Sequence, residues 1–261
     1  MSARLEALFA GRGGRPLIVP YLTAGYPRAE ETVDLLLALE AGGADAIELG
    51  LPWSDPLADG PVIQAASQAA LRAGIHHARI LELVRAFRQR SRVPLVLMGY
   101  ANPILAFGAE RFFREAVEAG ADGLIVPDLP LEEAEPFLPL ARNAGLDWIL
   151  LAAPTTPEAR LRGIDAQSGA FVYCVALTGV TGVRDALPPD LEATLSRVHR
   201  SLTKPFVVGF GFSRAEQIPL VCPPAAGVVV GSALLGALAA ETTREGRRRT
   251  ARSFVEGLRG G

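Results

Sequence analysis

Short apolar segments alternate with helical segments along the chain, and this alternation constrains the fold more than any other feature. Strands that are apolar on both faces are typical of a parallel sheet covered by helices. Eight strand-then-helix units in 261 residues predict a (β/α)8 barrel, the TIM barrel, as one domain over residues 1–261. A doubly wound open sheet is the alternative. The predicted strands are 17–22, 44–50, 94–99, 122–126, 148–152, 171–175, 205–208 and 227–230.

Two helical segments depart from the simple repeat. An additional N-terminal helix precedes the first strand and places Leu5, Leu8 and Phe9 on one face. A short helix is predicted at 213–221, where Pro219 and the prolines that follow it crowd the segment and weaken the helical pattern.

Charge, hydropathy and cysteine usage exclude several classes of protein. The net charge of −2 gives no reason to expect a nucleic-acid partner. We find neither an apolar run of about 18 residues nor a signal peptide, so we expect a cytoplasmic chain that does not enter a membrane. Cys174 and Cys222 are far apart and lie in apolar surroundings, which favours buried thiols over a disulfide or a zinc site.

The basic and imidazole side chains fall in the wrong places for metal or Schiff-base chemistry. None of His76, His77 and His199 follows a predicted strand, so we expect no metal site. Lys204, the only lysine, precedes the seventh strand and would lie at the end of the barrel opposite the active site. Carboxylates and hydroxyls remain, and they favour proton transfer without a cofactor.

Two acids mark the second strand and its loop as the candidate catalytic segment. Glu48 lies within a short apolar strand, where a carboxylate is costly unless it is paired or used. Asp55 and Asp59 follow in a loop stiffened by prolines. A single acid of this kind is more often structural. An acid on a strand followed by an acid on a rigid loop instead predicts two carboxyl groups with different environments and different tasks.

Glycine-rich junctions follow the last three predicted strands. They are Thr181–Gly182, 209–211 with the sequence Gly-Phe-Gly, and Gly231–Ser232. Backbone N–H groups at a helix start form an anion site when no side chain obstructs them. The loops after the seventh and eighth strands of a barrel are the usual phosphate site. We therefore infer a phosphorylated substrate.

The motif at residues 48–61 closely resembles the signature of the tryptophan synthase alpha chain family. It reads Glu-Leu-Gly-Leu-Pro-Trp-Ser-Asp-Pro-Leu-Ala-Asp-Gly-Pro, with Trp53 where the family has Phe or Tyr. The resemblance extends over essentially the whole chain. Further matching motifs are found at 19–27, 100–103, 127–130, 179–182, 209–211 and 231–232.

The resemblance implies a lyase of tryptophan biosynthesis, a branch of aromatic amino-acid biosynthesis. The family's barrel cleaves indole-3-glycerol phosphate to indole and glyceraldehyde 3-phosphate in a retro-aldol reaction. The resemblance implies no cofactor in this chain. The implied partner is a beta chain that carries pyridoxal phosphate, receives indole through a tunnel and assembles with the alpha chain as an α2β2 heterotetramer. Residues 52–56 fall on the family's contact region with that partner.

The resemblance also implies individual roles. Glu48 falls on the acid/base that protonates the indole ring at C3 and helps to remove the glycerol hydroxyl proton. Asp59 falls on the residue that holds the indole N–H proton, and Thr181 falls on a closing loop that positions Asp59. The implied substrate-binding residues are Tyr21, Tyr100, Tyr173, Thr181, Gly182, Phe210, Gly211, Gly231 and Ser232.

One departure and three alternatives accompany this interpretation. Ala176 and Leu177 replace a Ser-Arg pair of some members, so any switching role of that Arg is absent. The alternatives are a stand-alone indole-3-glycerol-phosphate lyase, a non-catalytic barrel that binds a phosphate ligand and activates a partner, and a sugar-phosphate isomerase. The isomerase would need a His or Lys at a strand end, and Glu48 and Asp59 argue against a non-catalytic barrel.

Overall fold

The computed structural model describes residues 2–175, 191–209 and 211–260. Its strands run parallel in one sheet and in the order β5-β4-β3-β2-β1-β9-β8-β7-β6. The strands are β1 (Leu17–Thr23), β2 (Ile47–Gly50), β3 (Leu95–Met98), β4 (Gly123–Ile125), β5 (Asp147–Ile149), β6 (Leu151–Ala152), β7 (Val172–Val175), β8 (Phe206–Gly209) and β9 (Gly227–Val230).

Helices lie between most pairs of successive strands and surround the sheet; the exceptions are β5 to β6 and β8 to β9. The helices are α1 (Ala3–Gly11), α2 (Thr32–Ala41), α3 (Pro61–Arg72), α4 (His77–Arg88), α5 (Ala101–Phe107), α6 (Ala109–Ala119), α7 (Leu131–Ala134), α8 (Leu138–Ala144), α9 (Glu158–Gln167), α10 (Leu191–Ser201), α11 (Ser232–Ala240) and α12 (Arg244–Arg259). Both the predicted barrel and its additional N-terminal helix, α1, are confirmed.

The fifth predicted strand is divided in the structure. Residues of β5 pair with β4, whereas residues of β6 pair with β7. Leu150 lies between them: its N–H binds the Ser168 hydroxyl, and its carbonyl accepts the N–H of Tyr173. One extended segment thus joins both edges of the sheet, and the division reflects a change of hydrogen-bonding neighbour while the barrel closes.

The helix predicted at 213–221 is replaced by turns. In this segment the structure has a single 3-10 turn, Ala215–Gln217. The Gln217 side chain accepts the backbone N–H groups of Ser213 and Arg214 and so satisfies the start of the turn. The prolines that follow have no N–H to donate and cannot continue a helix.

Burial follows the expected pattern of a covered parallel sheet. All seven residues of β1 and all four of β2 are buried, because each strand has the barrel interior on one face and helices on the other. Both cysteines are free and buried, as predicted. Within the described ranges, no helix is both long enough and apolar enough to cross a membrane.

Candidate active site

Glu48 is the buried acid of β2, in the wall of the barrel. Its backbone lies in register with Tyr21 of β1 and Val96 of β3. The residue is 2% exposed. Burial, together with the nearby charge of Asp59, raises the pKa of Glu48 to about 8. At neutral pH this carboxyl group therefore holds a proton that it can donate.

Asp59 lies at the end of the loop that joins β2 to α3. Gly60 occupies the N-cap of α3 and Pro61 its first turn, so the helix start fixes the backbone next to Asp59. The residue is 4% exposed. Burial raises the pKa of Asp59 to about 6, and the hydrogen bond from Tyr100 opposes that rise. Asp59 is therefore mostly ionised at neutral pH, whereas Glu48 is mostly protonated.

Tyr100 connects two parts of the site that are distant in sequence. Its hydroxyl donates to the Asp59 carboxylate and accepts the backbone N–H of Ala58 at 3.1 Å. The other carboxylate oxygen of Asp59, Oδ1, is buried and has no hydrogen-bond partner among the described residues. A buried oxygen left in this state is suited to accept a proton or a hydrogen bond from a bound molecule.

Two further tyrosines lie near both acids. The pKa of Tyr21 and that of Tyr173 are raised by burial and by the charges of Glu48 and Asp59. Thr23 donates to the Tyr21 hydroxyl at 3.4 Å. Both tyrosines are therefore neutral hydroxyl groups at physiological pH, close to the two carboxyls.

Each of these tyrosines packs against a glycine of the next strand. A Cβ atom on Gly50 of β2 would lie 2.0 Å from the Tyr21 hydroxyl oxygen. A Cβ atom on Gly209 of β8 would lie 2.2 Å from that of Tyr173. Glycine is thus required at both positions for the rings to occupy the places observed.

We expect Gly50→Ala to destabilise the protein and to displace Tyr21 from the site. Overpacking of this kind costs about 1–3 kcal/mol of unfolding free energy. Urea unfolding measures it, with Gly257→Ala as the control because no atom lies within 4 Å of a Cβ there. The control lies inside α12, where Gly→Ala stabilises by about 0.5–1 kcal/mol. Equal stability of both variants would contradict the close packing of Tyr21.

The predicted phosphate residues lie at the ends of β8 and β9. Gly211 has a φ of 78°, a conformation that favours glycine. Gly231 is the N-cap of α11 and Ser232 its first residue, and Ser232 is 5% exposed. The first N–H groups of α11 have no partner within the helix, which suits them to an anion.

Three predicted site residues lie outside the described part of the chain: Thr181, Gly182 and Phe210. The structure brings Glu48, Asp59, Tyr21, Tyr100 and Tyr173 together. Sequence reasoning missed the contact of Tyr100 with Asp59 and Ala58, and it missed the need for Gly50.

Asp128, which also follows a strand, binds the N–H of Ala101 at the start of α5 and so has a structural partner. Among the described residues, no group of three His, Cys, Asp or Glu could hold a metal ion.

Comparisons with known proteins point to one family over nearly the whole chain. The model of the tryptophan synthase alpha chain family matches residues 10–258. A tryptophan synthase alpha chain from Roseiflexus sp. (strain RS-1) is 49% identical over 248 residues, which cover 95% of each chain. The structure of the alpha subunit from Legionella pneumophila str. Paris superposes with a TM-score of 0.89 at 36% identity, over 99% of this chain and 97% of that one. A chain from the α2β2 tryptophan synthase complex of Pyrococcus furiosus gives a TM-score of 0.87 at 42% identity, over 94% and 98%.

Proposed function

The chain belongs to the tryptophan synthase alpha chain family, and we propose that it cleaves indole-3-glycerol phosphate to indole and glyceraldehyde 3-phosphate. The observation that carries the proposal is the pair of buried acids, Glu48 with its pKa raised to about 8 and Asp59 with its pKa raised to only about 6. At neutral pH one acid holds a proton and the other can accept one, as concerted proton transfer requires.

The reaction needs protons to move at two places on the indole ring. Glu48 donates its proton to C3, and Asp59 takes the proton of the ring N–H, which gives the indolenine tautomer. The Glu48 carboxylate then removes a proton from the side-chain hydroxyl, and the carbon–carbon bond to C3 breaks as the aldehyde forms. The bonding electrons return to the ring, whose nitrogen recovers its proton from Asp59. Both acids end the cycle in their starting states.

We propose that Gly211, Gly231 and Ser232 bind the phosphate group of the substrate. Support comes from the open N–H groups at the start of α11 and from the left-handed backbone of Gly211. Tyr21, Tyr100 and Tyr173 would surround the indole. Thr181, Gly182 and Phe210 remain predictions for the same pocket.

We also propose a beta chain as partner, in an α2β2 assembly that carries pyridoxal phosphate on the beta chain. Exposed apolar side chains near the barrel mouth support this: Leu57 is 83% exposed, Leu105 is 49% exposed and Val62 is 36% exposed. A beta chain docked at this end of the barrel would cover them. They follow β2 and β3, the strands that lead into the two-acid loop and Tyr100.

The test of the function is indole release from indole-3-glycerol phosphate by the purified chain, with and without a beta chain. Slow release that rises with the beta chain supports the proposal. Fast release by the chain alone would instead support a self-sufficient lyase. Release in neither condition would overturn the proposal in favour of a non-catalytic barrel that binds the phosphate ligand.

We expect kcat/KM to be bell-shaped in pH, with limbs near pH 6 and pH 8. Activity rises through the first limb because Asp59 must lose its proton, and it falls through the second because Glu48 must keep its proton. Tyr100→Phe removes a hydrogen bond that favours ionised Asp59, so the acid limb should move to higher pH. An acid limb that stays in place in this variant would contradict the assignment.

A further inference from the structure

A cavity lies inside the barrel between Glu48 and helix α1. Leu5, Leu8 and Phe9 form its floor, and Glu48 and Tyr173 belong to its wall. The other described side chains of its lining are apolar. Glu48 therefore lies between the active site near the mouth of the barrel and a small apolar space on the side of α1.

Helix α1 is held firmly across the N-terminal ends of the strands. The Ser2 hydroxyl donates to Asp122 at 2.6 Å, and the Ser2 N–H donates to Asp147 at 3.2 Å. Arg4 binds the same Asp122 carboxylate at 2.8 Å. Asp122 precedes β4 and Asp147 begins β5, so these contacts place the helix at the end of the barrel opposite the Asp59 loop.

The packing of α1 closes that end. Leu5 is fully buried, and the ring of Phe9 lies 5.1 Å, centroid to centroid, from the ring of Phe171, just before β7. Leu8 and Phe9 are half-buried, with one side toward the cavity and the other near solvent. Leu8 and Phe9 therefore lie between the solvent and the space beneath Glu48.

We propose that Leu8 and Phe9 are positioning residues for the reaction, which exclude water from the space beneath Glu48 and so keep its carboxyl group protonated for catalysis. The proposal rests on the proposed function and extends it to the opposite end of the barrel. Removing a carboxyl group from water disfavours its charged form, and water admitted from below would reverse that effect.

Groups on the surrounding elements also face Glu48, and they differ from the cavity residues of α1 in their charge. Asp59 approaches from its loop, Tyr21 from β1 and Tyr173 from β7, and β3 contributes the apolar Val96. The cavity residues of α1 bring no charge, because Glu6 is exposed and Arg4 binds Asp122. The effect of α1 on Glu48 is therefore one of solvent exclusion.

The test compares Leu8→Ser and Phe9→Ala with Leu37→Ala, a variant that loses similar packing on α2 away from the cavity. Infrared spectra of the protonated carboxyl band, recorded against pH and subtracted from those of the same protein with Glu48→Gln, report the titration of Glu48 alone. We expect the midpoint to move toward acid by about one pH unit or more in Leu8→Ser and Phe9→Ala. Leu37→Ala should leave it in place.

Kinetics provide the second readout. In the complex with a beta chain, the alkaline limb of kcat/KM should move toward acid with the infrared midpoint, which lowers activity above pH 8 roughly tenfold per pH unit of movement. The variant Leu8→Met keeps the space apolar and should therefore have the same pH dependence of kcat/KM as the parent. An unchanged infrared midpoint in both cavity variants, or the same shift in Leu37→Ala, would overturn the proposal. Because the infrared titration needs no turnover, it decides the proposal even if the parent protein fails to release indole.

Discussion

Glu48→Gln should reduce cleavage of indole-3-glycerol phosphate by about 10³-fold or more, because general acid–base catalysis by one group contributes about 10²–10⁴ and the proposed mechanism uses Glu48 twice. The amide of Gln has the shape of the protonated carboxyl group but cannot donate a proton to C3. It also cannot accept one from the side-chain hydroxyl. The measurement is indole release by the variant in the presence of a beta chain.

Binding and stability are the controls for Glu48→Gln. A non-cleavable indole-alkyl phosphate should bind the variant about as well as the parent, because the proposed phosphate contacts lie after β8 and β9. The stability control has a defined sign. Since burial raises the pKa of Glu48 to about 8, the parent loses stability as pH rises from its unfolded-state value toward 8. Glu48→Gln lacks this loss, so its stability relative to the parent should be greater at pH 8 than at pH 5. Parent-like turnover would exclude Glu48 as the acid.

The barrel was predictable because its signal is local and repeated. Each short apolar run ends where a helical pattern begins, and a covered parallel sheet needs such runs. The division between β5 and β6 was not predictable in this way. It depends on which neighbour accepts each hydrogen bond around Leu150, a property of barrel closure that no local pattern records. By contrast, the loss of a regular helix at 213–221 was partly predictable, because the prolines of this segment weaken the helical pattern in the sequence.

The candidate site was predictable in its acids but less so in their environment. A carboxylate on an apolar strand and another on a proline-stiffened loop are visible in the sequence at Glu48 and Asp59. The bond from Tyr100 to Asp59 joins residues that follow different strands, and so it emerges only from the fold. The same holds for the packing of Tyr21 on Gly50, which requires two strands in register. The direction of each pKa shift depends on these neighbours.

The difference between the pKa values of Glu48 and Asp59 follows from the part of the fold that carries each residue. Glu48 is on a strand within the barrel wall, where burial and a negative neighbour both favour the protonated form. Asp59 is on a loop at the mouth, where the hydroxyl of Tyr100 favours the charged form. Ionised Asp59 helps to keep Glu48 protonated, so the charge on one acid preserves the proton on the other.

Asp59→Asn should lower the cleavage rate by about 10²–10³-fold, within the range of a lost general base. The amide oxygen can still accept the Tyr100 hydroxyl, so the loop should keep its place. The group cannot take the indole N–H proton, and the ring can then reach the indolenine only by losing that proton to solvent. Indole release in the presence of a beta chain measures the loss. Tyr100→Phe, which keeps the Asp59 carboxylate, should lose only about tenfold at its pH optimum.

The residual activity of Asp59→Asn should have a distinctive pH profile. The acid limb near pH 6 should disappear, since the group that titrates there is gone. The alkaline limb should move to lower pH, because the charge of Asp59 contributes to the raised pKa of Glu48 and the neutral amide removes it. A variant that only disturbed packing would lower the whole curve and leave both limbs in place. A parent-like rate, or a lowered curve with both limbs unmoved, would mean that the N–H proton leaves by another group.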